Sequence, residues 1–175
     1  RVVRHRHVGQ HRARVQVHRV PARGPNEAHA GRLKPLAEGS RLTAAVASQI
    51  SDGASAALVV SEAAVERYGF TPRARVHHIS ARGADPVMML SAPIPATQHA
   101  LKRAGLSIED IDTVEINEAF AVQVLAVLRE WGLPSGEVAD RLNVNGSGIS
   151  LGHPIGATGG RILATMLREL DRRGG

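Results

Sequence analysis

The sequence contains no cysteine, and its aromatic residues amount to one tryptophan, one tyrosine and two phenylalanines. The lack of cysteine excludes disulfides and cysteine-ligated metal sites, and it fits a reducing compartment. No apolar run is long enough to span a bilayer, and the start of the sequence lacks the apolar core of a secretory signal. We therefore expect a soluble, cytoplasmic protein without a membrane partner.

Acidic residues are scarce only at the beginning of the chain. Residues 1–32 hold eight arginines and one acid, Glu27, whereas residues 33–175 carry fourteen lysines and arginines and fifteen acids. The net charge of +6 therefore arises from the first segment, and the remainder is close to neutral. We treat residues 1–32 as a basic arm and residues 33–175 as the domain.

Three interpretations of the basic arm remain open. The arm shows no helical or alternating period, and it lacks lysine, leucine and aromatic residues. Arginine-rich arms bind nucleic acid through phosphates, but usually with lysine and aromatic or polar residues alongside, so this composition disfavours a nucleic-acid partner. The arm is otherwise a disordered tail, or it is not native protein sequence, because GC-rich coding DNA read out of frame gives this composition.

Helical and strand-like patterns alternate along residues 33–175. Helices are predicted from Ser61 to Gly69, over residues 95–104, and over residues 118–132. Residues 73–80 and 113–116 are predicted to be strands, and residues 54–60 a buried strand or helix segment. Helices that alternate with short buried strands predict a layered α/β domain.

Six glycines and one histidine, His153, lie within residues 143–161. Glycine at this density lets the backbone adopt positive φ and approach a ligand closely, with amide N–H groups free to point at it. Pro154 fixes the turn after His153, and from Ile155 onwards the apolar residues take a helical spacing. The pattern predicts a glycine loop that presents an imidazole at the N-terminus of a helix. A tightly packed loop with a chance histidine is the alternative.

Asn117 follows the predicted strand 113–116 and precedes a predicted helix. In doubly wound sheets, residues at such positions contact ligands. Asparagine is also a favoured N-cap, and Glu118 suits the first turn of a helix. A ligand contact and a cap both remain open for this position. No metal site is predicted, because His77, His78 and the arm histidines lack further ligands at suitable spacing.

Two stretches taken together, NEAFA at residues 117–121 and GHPIGATGGR at residues 152–161, resemble the C-terminal half of the thiolases. This family makes or cleaves 3-ketoacyl-coenzyme A thioesters. The resemblance covers about residues 33–173. It implies a thiolase-like layered α/β fold, the C-terminal βαβαβαββ half with its closing strands missing. Val46, Ser147 and Ser150 depart from the residues usual in the family.

Claisen chemistry on a thioester requires a nucleophile, a base, donors for each oxyanion and an acid/base for the α-proton. The resemblance makes His153 the catalytic loop histidine and Asn117 the catalytic asparagine that holds a water of the oxyanion hole. It gives Glu118 and Gly152 roles in orienting and shaping the pocket, and it places Ser48 near the pantetheine arm of coenzyme A. It also implies an acyl-CoA substrate, no covalently bound cofactor and a homo-oligomer.

The two cysteines of the family are absent from this sequence. One is the nucleophile of the N-terminal half, and the other exchanges the α-proton from a C-terminal Cys-x-Gly loop. The sequence therefore predicts a thiolase-type acyltransferase fragment that is inactive alone. Two alternatives remain: a non-catalytic module that binds coenzyme A or a protein partner, and a nucleic-acid binder that acts through the arm.

Overall fold

The computed structural model describes residues 33–133 and 140–174, so the predictions for the basic arm lie outside the described residues. Within these two ranges the chain forms five α-helices: α1 (Glu62–Tyr68), α2 (Pro93–Ala104), α3 (Ala121–Glu130), α4 (Gly148–Leu151) and α5 (Ile155–Arg173). Short 3₁₀ turns cover Ala44–Val46 and Ile108–Asp110. None of the helices in the described part is both long and apolar enough to cross a membrane.

The first two helices follow the predicted capping signals. The Ser61 hydroxyl accepts a hydrogen bond from the amide of Ala64 at 3.2 Å, and Gly69 closes α1 in the left-handed conformation. Helix α2 ends at the predicted Gly105. It begins at Pro93, two residues earlier than predicted, because proline is well tolerated in the first turn of a helix.

Helix α3 begins later than the sequence predicts. Its N-cap is Phe120, which makes no side-chain capping hydrogen bond. The alternatives that Asn117 caps this helix and that Glu118 lies in its first turn are therefore wrong. The Glu118 carboxylate is instead bonded to the glycine loop. Tertiary hydrogen bonds prevail here over the local capping preference.

A small apolar core forms where α3 packs beside α2. Its buried members are Ile116, Val124, Val127, Leu128 and Leu133, and partly buried Ile94, Ile108, Trp131 and Leu142 pack against them. Since Ile116 belongs to this core, the backbone that leads into Asn117 is fixed in position.

The strand predictions are wrong in part. Residues 54–60 and 73–80 form no ladder, and Leu58 and Ile79 are 77% and 79% exposed. The β-pairing of the described residues consists of three isolated bridges, one of which joins Val114 in parallel to Leu142 within the predicted strand 113–116. Alternating apolar residues form a stable strand only beside another strand and over a packed face. No described segment supplies these for residues 54–60 and 73–80.

The predicted helix after Pro154 is confirmed as α5. Near its end Glu169, which is 2% exposed, accepts hydrogen bonds from Arg172, Arg173 and Asn145. The bonds from Arg172, followed by those from Arg173, lower the pKa of the Glu169 carboxyl to about 2. Because Asn145 belongs to the glycine loop, this contact holds the loop against α5.

Candidate active site

The carboxylate of Glu118 connects the turn before α3 to the glycine loop. One oxygen accepts from Asn143 Nδ2 at 3.1 Å, and the other accepts from the backbone amide of Ile149 at 3.1 Å. An ionised carboxylate accepts such bonds with more strength than a neutral oxygen does. Glu118 therefore acts in this structure as a bridge between two segments that are about thirty residues apart.

Asn143 holds the start of the loop in an unusual conformation. Its φ is +44°, and its side chain is bonded to both backbone groups of Ile116: Oδ1 accepts from the amide at 2.8 Å, and Nδ2 donates to the carbonyl at 3.0 Å. Asparagine tolerates the left-handed region better than most residues. The side chain thus continues the pairing that the Val114–Leu142 bridge begins.

A third segment, residues 48–51, crosses the other two. The Ser48 amide donates to the Ala119 carbonyl at 2.9 Å, and the His153 amide donates to the Gln49 carbonyl at 2.8 Å. The Gln49 side chain donates to the Ile149 carbonyl at 3.1 Å. These bonds bring Ser48, the Asn117 turn and the His153 turn into one layer of backbone.

Glycine is required where these segments meet. A Cβ on Gly148 would lie 2.8 Å from Asn117 Oδ1 and 3.1 Å from Ser48 Cβ. Gly152 has φ +88° and ψ 167°, a region that is essentially restricted to glycine. A Cβ on Gly152 would also overlap the Ser51 hydroxyl. The loop therefore passes close to both neighbouring segments only because these positions lack side chains.

His153 lies at the mouth of an open cleft of about 370 Å³, just before α5 begins. The cleft is lined by Ser48, Gln49, Ile50, Ser51, His153 and Ile155. The prediction that the loop presents an imidazole at a helix N-terminus is confirmed. His153 Nδ1 lies 2.7 Å from the hydroxyl of Thr158 in the first turns of α5.

Asn117 lies behind Gly148 and does not line this cleft. Its Oδ1 is buried and has no hydrogen-bond partner within the described residues. A buried acceptor without a partner costs free energy unless a water or ligand donates to it. The five predicted site residues thus form one connected region, in which Ser48 and His153 face the cleft and Asn117 and Glu118 support it.

Several residues of this region have no counterpart among the predicted site residues. Ser147 is fully buried, and its hydroxyl donates to the Ile116 carbonyl at 2.7 Å. The Ser150 hydroxyl accepts from the Ser147 amide at 3.2 Å. Ser147 and Ser150, two of the three departures from the family pattern, therefore have a structural use. Gln49, Asn143 and Thr158 were not predictable as site residues, because their contacts depend on the tertiary structure.

A charged pair lies beside the loop without forming an ion pair. Both carboxylate oxygens of Glu115 and all three guanidinium nitrogens of Arg161 are buried and lack hydrogen-bond partners within residues 33–133 and 140–174. Burial raises the pKa of Glu115 from 4.5 to about 7, although Arg161 opposes this shift and Glu118 and Glu169 add to it. Burial therefore keeps Glu115 protonated to a higher pH than an ordinary glutamate.

We expect Glu115→Gln to stabilise the protein at pH 8 and to have little effect at pH 4.5. The unfolded chain ionises Glu115 at its ordinary pKa of 4.5, so the wild type loses stability as pH rises from 4.5 through 7. After allowance for solvent screening, the gain at pH 8 should be about 1–2 kcal/mol. Urea unfolding at both pH values measures it. Glu109→Gln, at an exposed position, is the control, and an equal gain at both pH values would contradict the assignment.

Within the described part of the chain, no group of three or more histidine, aspartate or glutamate side chains is placed to hold a metal ion. The candidate site therefore consists of an imidazole, amides and hydroxyls around a glycine loop.

Comparison with known proteins places this loop in a family. The model of the thiolase C-terminal domain matches residues 70–175, which is more than half of the chain. The chain belongs to the thiolase family and corresponds to its C-terminal domain.

Two curated relatives show the extent of the match. The steroid 3-ketoacyl-CoA thiolase of Mycobacterium tuberculosis is 62% identical over 143 residues, which covers 82% of this chain and 34% of that protein. The 3-oxoadipyl-CoA/3-oxo-5,6-dehydrosuberyl-CoA thiolase of Escherichia coli is 46% identical over 145 residues, covering 83% of this chain and 36% of that protein. The chain thus spans about a third of the length of the curated relatives that it matches.

Solved structures confirm the predicted α/β thiolase fold. Human mitochondrial 3-ketoacyl-CoA thiolase aligns with a TM-score of 0.73 at 42% identity, over 83% of this chain and 36% of that one. The acetyl-CoA acetyltransferase of Bacillus anthracis aligns with a TM-score of 0.76 at 39% identity, over 87% of this chain and 39% of that one.

Proposed function

We propose that this chain supplies the histidine-loop part of a thiolase-type acyltransferase site that acts on coenzyme A thioesters. The observation that carries the proposal is the single hydrogen-bonded layer formed by Ser48, the Asn117–Glu118 turn and the His153 turn. This layer places the imidazole of His153 and the hydroxyl of Ser48 at the cleft, with the side-chain amide of Asn117 behind Gly148. These are groups that acyl transfer between thioesters needs.

In the proposed mechanism His153 accepts the proton of an attacking thiol and polarises the thioester oxygen. The partnerless Oδ1 of Asn117 is suited to hold a water that donates to the same oxyanion. Glu118 keeps the two turns at a fixed separation, and the positive φ of Gly152 turns the chain into His153. Ser48, on the wall of the cleft, contacts the pantetheine arm.

The nucleophile has to come from another polypeptide segment, because the sequence contains no cysteine. In thiolysis the cysteine thiolate attacks the 3-keto carbonyl, the Cα–Cβ bond breaks, and the released acetyl-CoA carbanion takes up a proton. The acyl group then passes from the cysteine to the thiol of coenzyme A, and the cysteine thiolate is released. We infer that residues 33–175 act together with the N-terminal part of a thiolase, in a cytoplasmic homo-oligomer, and that the substrate is a 3-ketoacyl-CoA. Residues 1–32 have no role in this proposal.

A chimaera tests the function. Residues 33–173 replace the matching segment of the Mycobacterium tuberculosis relative, and thiolysis of a 3-ketoacyl-CoA is followed by the loss of its enolate absorbance. We expect an active chimaera in which His153→Asn lowers kcat about 10²–10⁴-fold, the usual contribution of a general base. His77→Asn, at an exposed position, should leave kcat unchanged. An active chimaera that tolerates His153→Asn would refute the proposed role.

The absence of cysteine also favours a second candidate, a module that binds coenzyme A without catalysis. An NMR titration of the 175-residue chain with coenzyme A distinguishes it. Shifts at Ser48 and His153 support retained binding, whereas an unchanged spectrum at millimolar coenzyme A eliminates this candidate.

A further inference from the structure

The imidazole of His153 has one protein partner for its ring among the described residues, the hydroxyl of Thr158. Nδ1 and Oγ1 are 2.7 Å apart, and Thr158 is 4% exposed. The same hydroxyl lies 3.0 Å from the carbonyl oxygen of Pro154, one helical turn earlier. The side chain of Thr158 is therefore held between a ring nitrogen and a backbone carbonyl, away from competing water.

A threonine hydroxyl has one proton to donate and lone pairs with which to accept. If it donates to the Pro154 carbonyl, it accepts from a protonated Nδ1, and both short contacts are hydrogen bonds. If it donates to Nδ1 instead, two oxygens face each other at 3.0 Å without a proton between them. The first arrangement makes two hydrogen bonds and the second makes one.

We infer that Thr158 is a positioning residue that holds neutral His153 as the Nδ1–H tautomer and leaves Nε2 unprotonated. The inference rests on the proposed function for its purpose, because a base that receives the proton of a thiol needs a free ring nitrogen. Thr158 is thereby added to the residues on which the proposed acyl transfer depends. Pro154 takes part through its carbonyl oxygen, since that oxygen accepts the hydroxyl proton.

The location of Thr158 in the first turn of α5 sets the direction from which its hydroxyl reaches the imidazole of His153. The His153 amide is anchored to Gln49, and the Pro154 carbonyl accepts the amides of Ala157 and Thr158 at the start of α5. A hydroxyl on the first turn of this helix therefore reaches back to the ring from a fixed direction. The orientation of the imidazole is therefore tied to the formation of α5.

Nitrogen NMR of the full 175-residue chain tests the inference. Histidine is labelled with ¹⁵N, spectra are recorded at pH 8, and the His153 signals are identified by their loss in His153→Gln. We expect Nδ1 of wild-type His153 to have the shift of a protonated nitrogen and Nε2 that of an unprotonated one. Thr158→Ser should keep this pattern, whereas Thr158→Val should move Nδ1 towards the unprotonated shift.

Thr165→Val is the matched control, because its hydroxyl makes the same bond to a backbone carbonyl four residues earlier in α5 but is not hydrogen-bonded to a histidine of the described residues. It should leave the His153 signals unchanged. An Nε2–H tautomer in the wild type would overturn the inference, and so would an unaltered pattern in folded Thr158→Val. If Thr158→Val does not fold, the wild-type and Thr158→Ser spectra still decide the tautomer.

The two proposals can fail separately. The tautomer is observed without turnover, so an inactive chimaera leaves the assignment of Thr158 untouched. In an active chimaera, Thr158→Val should lower kcat while KM stays constant, and Thr158→Ser should restore kcat. Loss of the tautomer with full activity would remove the role of Thr158 but leave the thiolase-type function standing.

Discussion

Leu128→Ala is expected to lower the free energy of unfolding by about 2–5 kcal/mol, the range seen when a buried leucine is truncated. Leu128 is 3% exposed and lies in a core with only five buried members among the described residues. Such a core has few neighbours that can move into the cavity. Since whole domains are stable by only about 5–15 kcal/mol, the loss would take a large share of the total.

Urea unfolding followed by circular dichroism measures this loss. Leu125→Ala in the same helix is the matched control, because Leu125 is 53% exposed. The control should change the free energy of unfolding by less than about 0.5 kcal/mol. Equal effects of the two substitutions would mean that α3 does not pack with the face that the structure shows.

Gly152→Ala should cost at least about 2 kcal/mol and should disturb the candidate site. Two independent effects add: a φ of +88° with ψ of 167° is strained for alanine, and the new methyl group overlaps the side chain of Ser51. Each effect costs about 1–3 kcal/mol. The loop and residues 48–51 would separate, and with them His153 and Ser48.

Gly156→Ala supplies the control for this substitution. Gly156 lies in the first turn of α5, and a Cβ there meets nothing within 4 Å. Replacing a helical glycine by alanine usually stabilises by about 0.5–1 kcal/mol. The pair of variants should therefore shift the unfolding midpoint in opposite directions, and amide spectra of Gly152→Ala should change around Ser48 and His153. A Gly152→Ala variant with the unfolding midpoint of the wild type would contradict the close approach of Gly152 to Ser51.

Much of the helical structure could be predicted because local signals suffice for it. Ser61 and Gly69 mark α1, and Pro154 with the apolar spacing after it marks α5. Local signals were misleading at Asn117 and Glu118. There the Glu118 carboxylate is bonded to a loop that lies far away along the sequence, and Asn117 Oδ1 is buried beside Gly148 instead of capping the helix.

The strand predictions depended on partners that the sequence pattern cannot supply. Apolar and polar residues alternate over residues 73–80 as they do in a strand. This alternation shows only that one face could be buried, and it does not supply a neighbouring strand. By contrast, the candidate site residues Asn117, Glu118, Gly152 and His153 could be proposed from the sequence because NEAFA and GHPIGATGGR resemble a known family. Their contacts could not be predicted. Gln49 contributes a backbone carbonyl and a side-chain amide, and Thr158 contributes a hydroxyl, and the partners of such groups are set by the tertiary structure.

The exposed apolar segment at residues 54–60 affects the solubility of this chain. Residues 54–60 carry no charge and no proline, and Leu58 and Val59 are more than three-quarters exposed. Short apolar windows without charge or proline favour aggregation when they are exposed. If the N-terminal part of a thiolase covers residues 54–60 when the two act together as proposed, synthesis of the two together should raise the soluble yield of this chain.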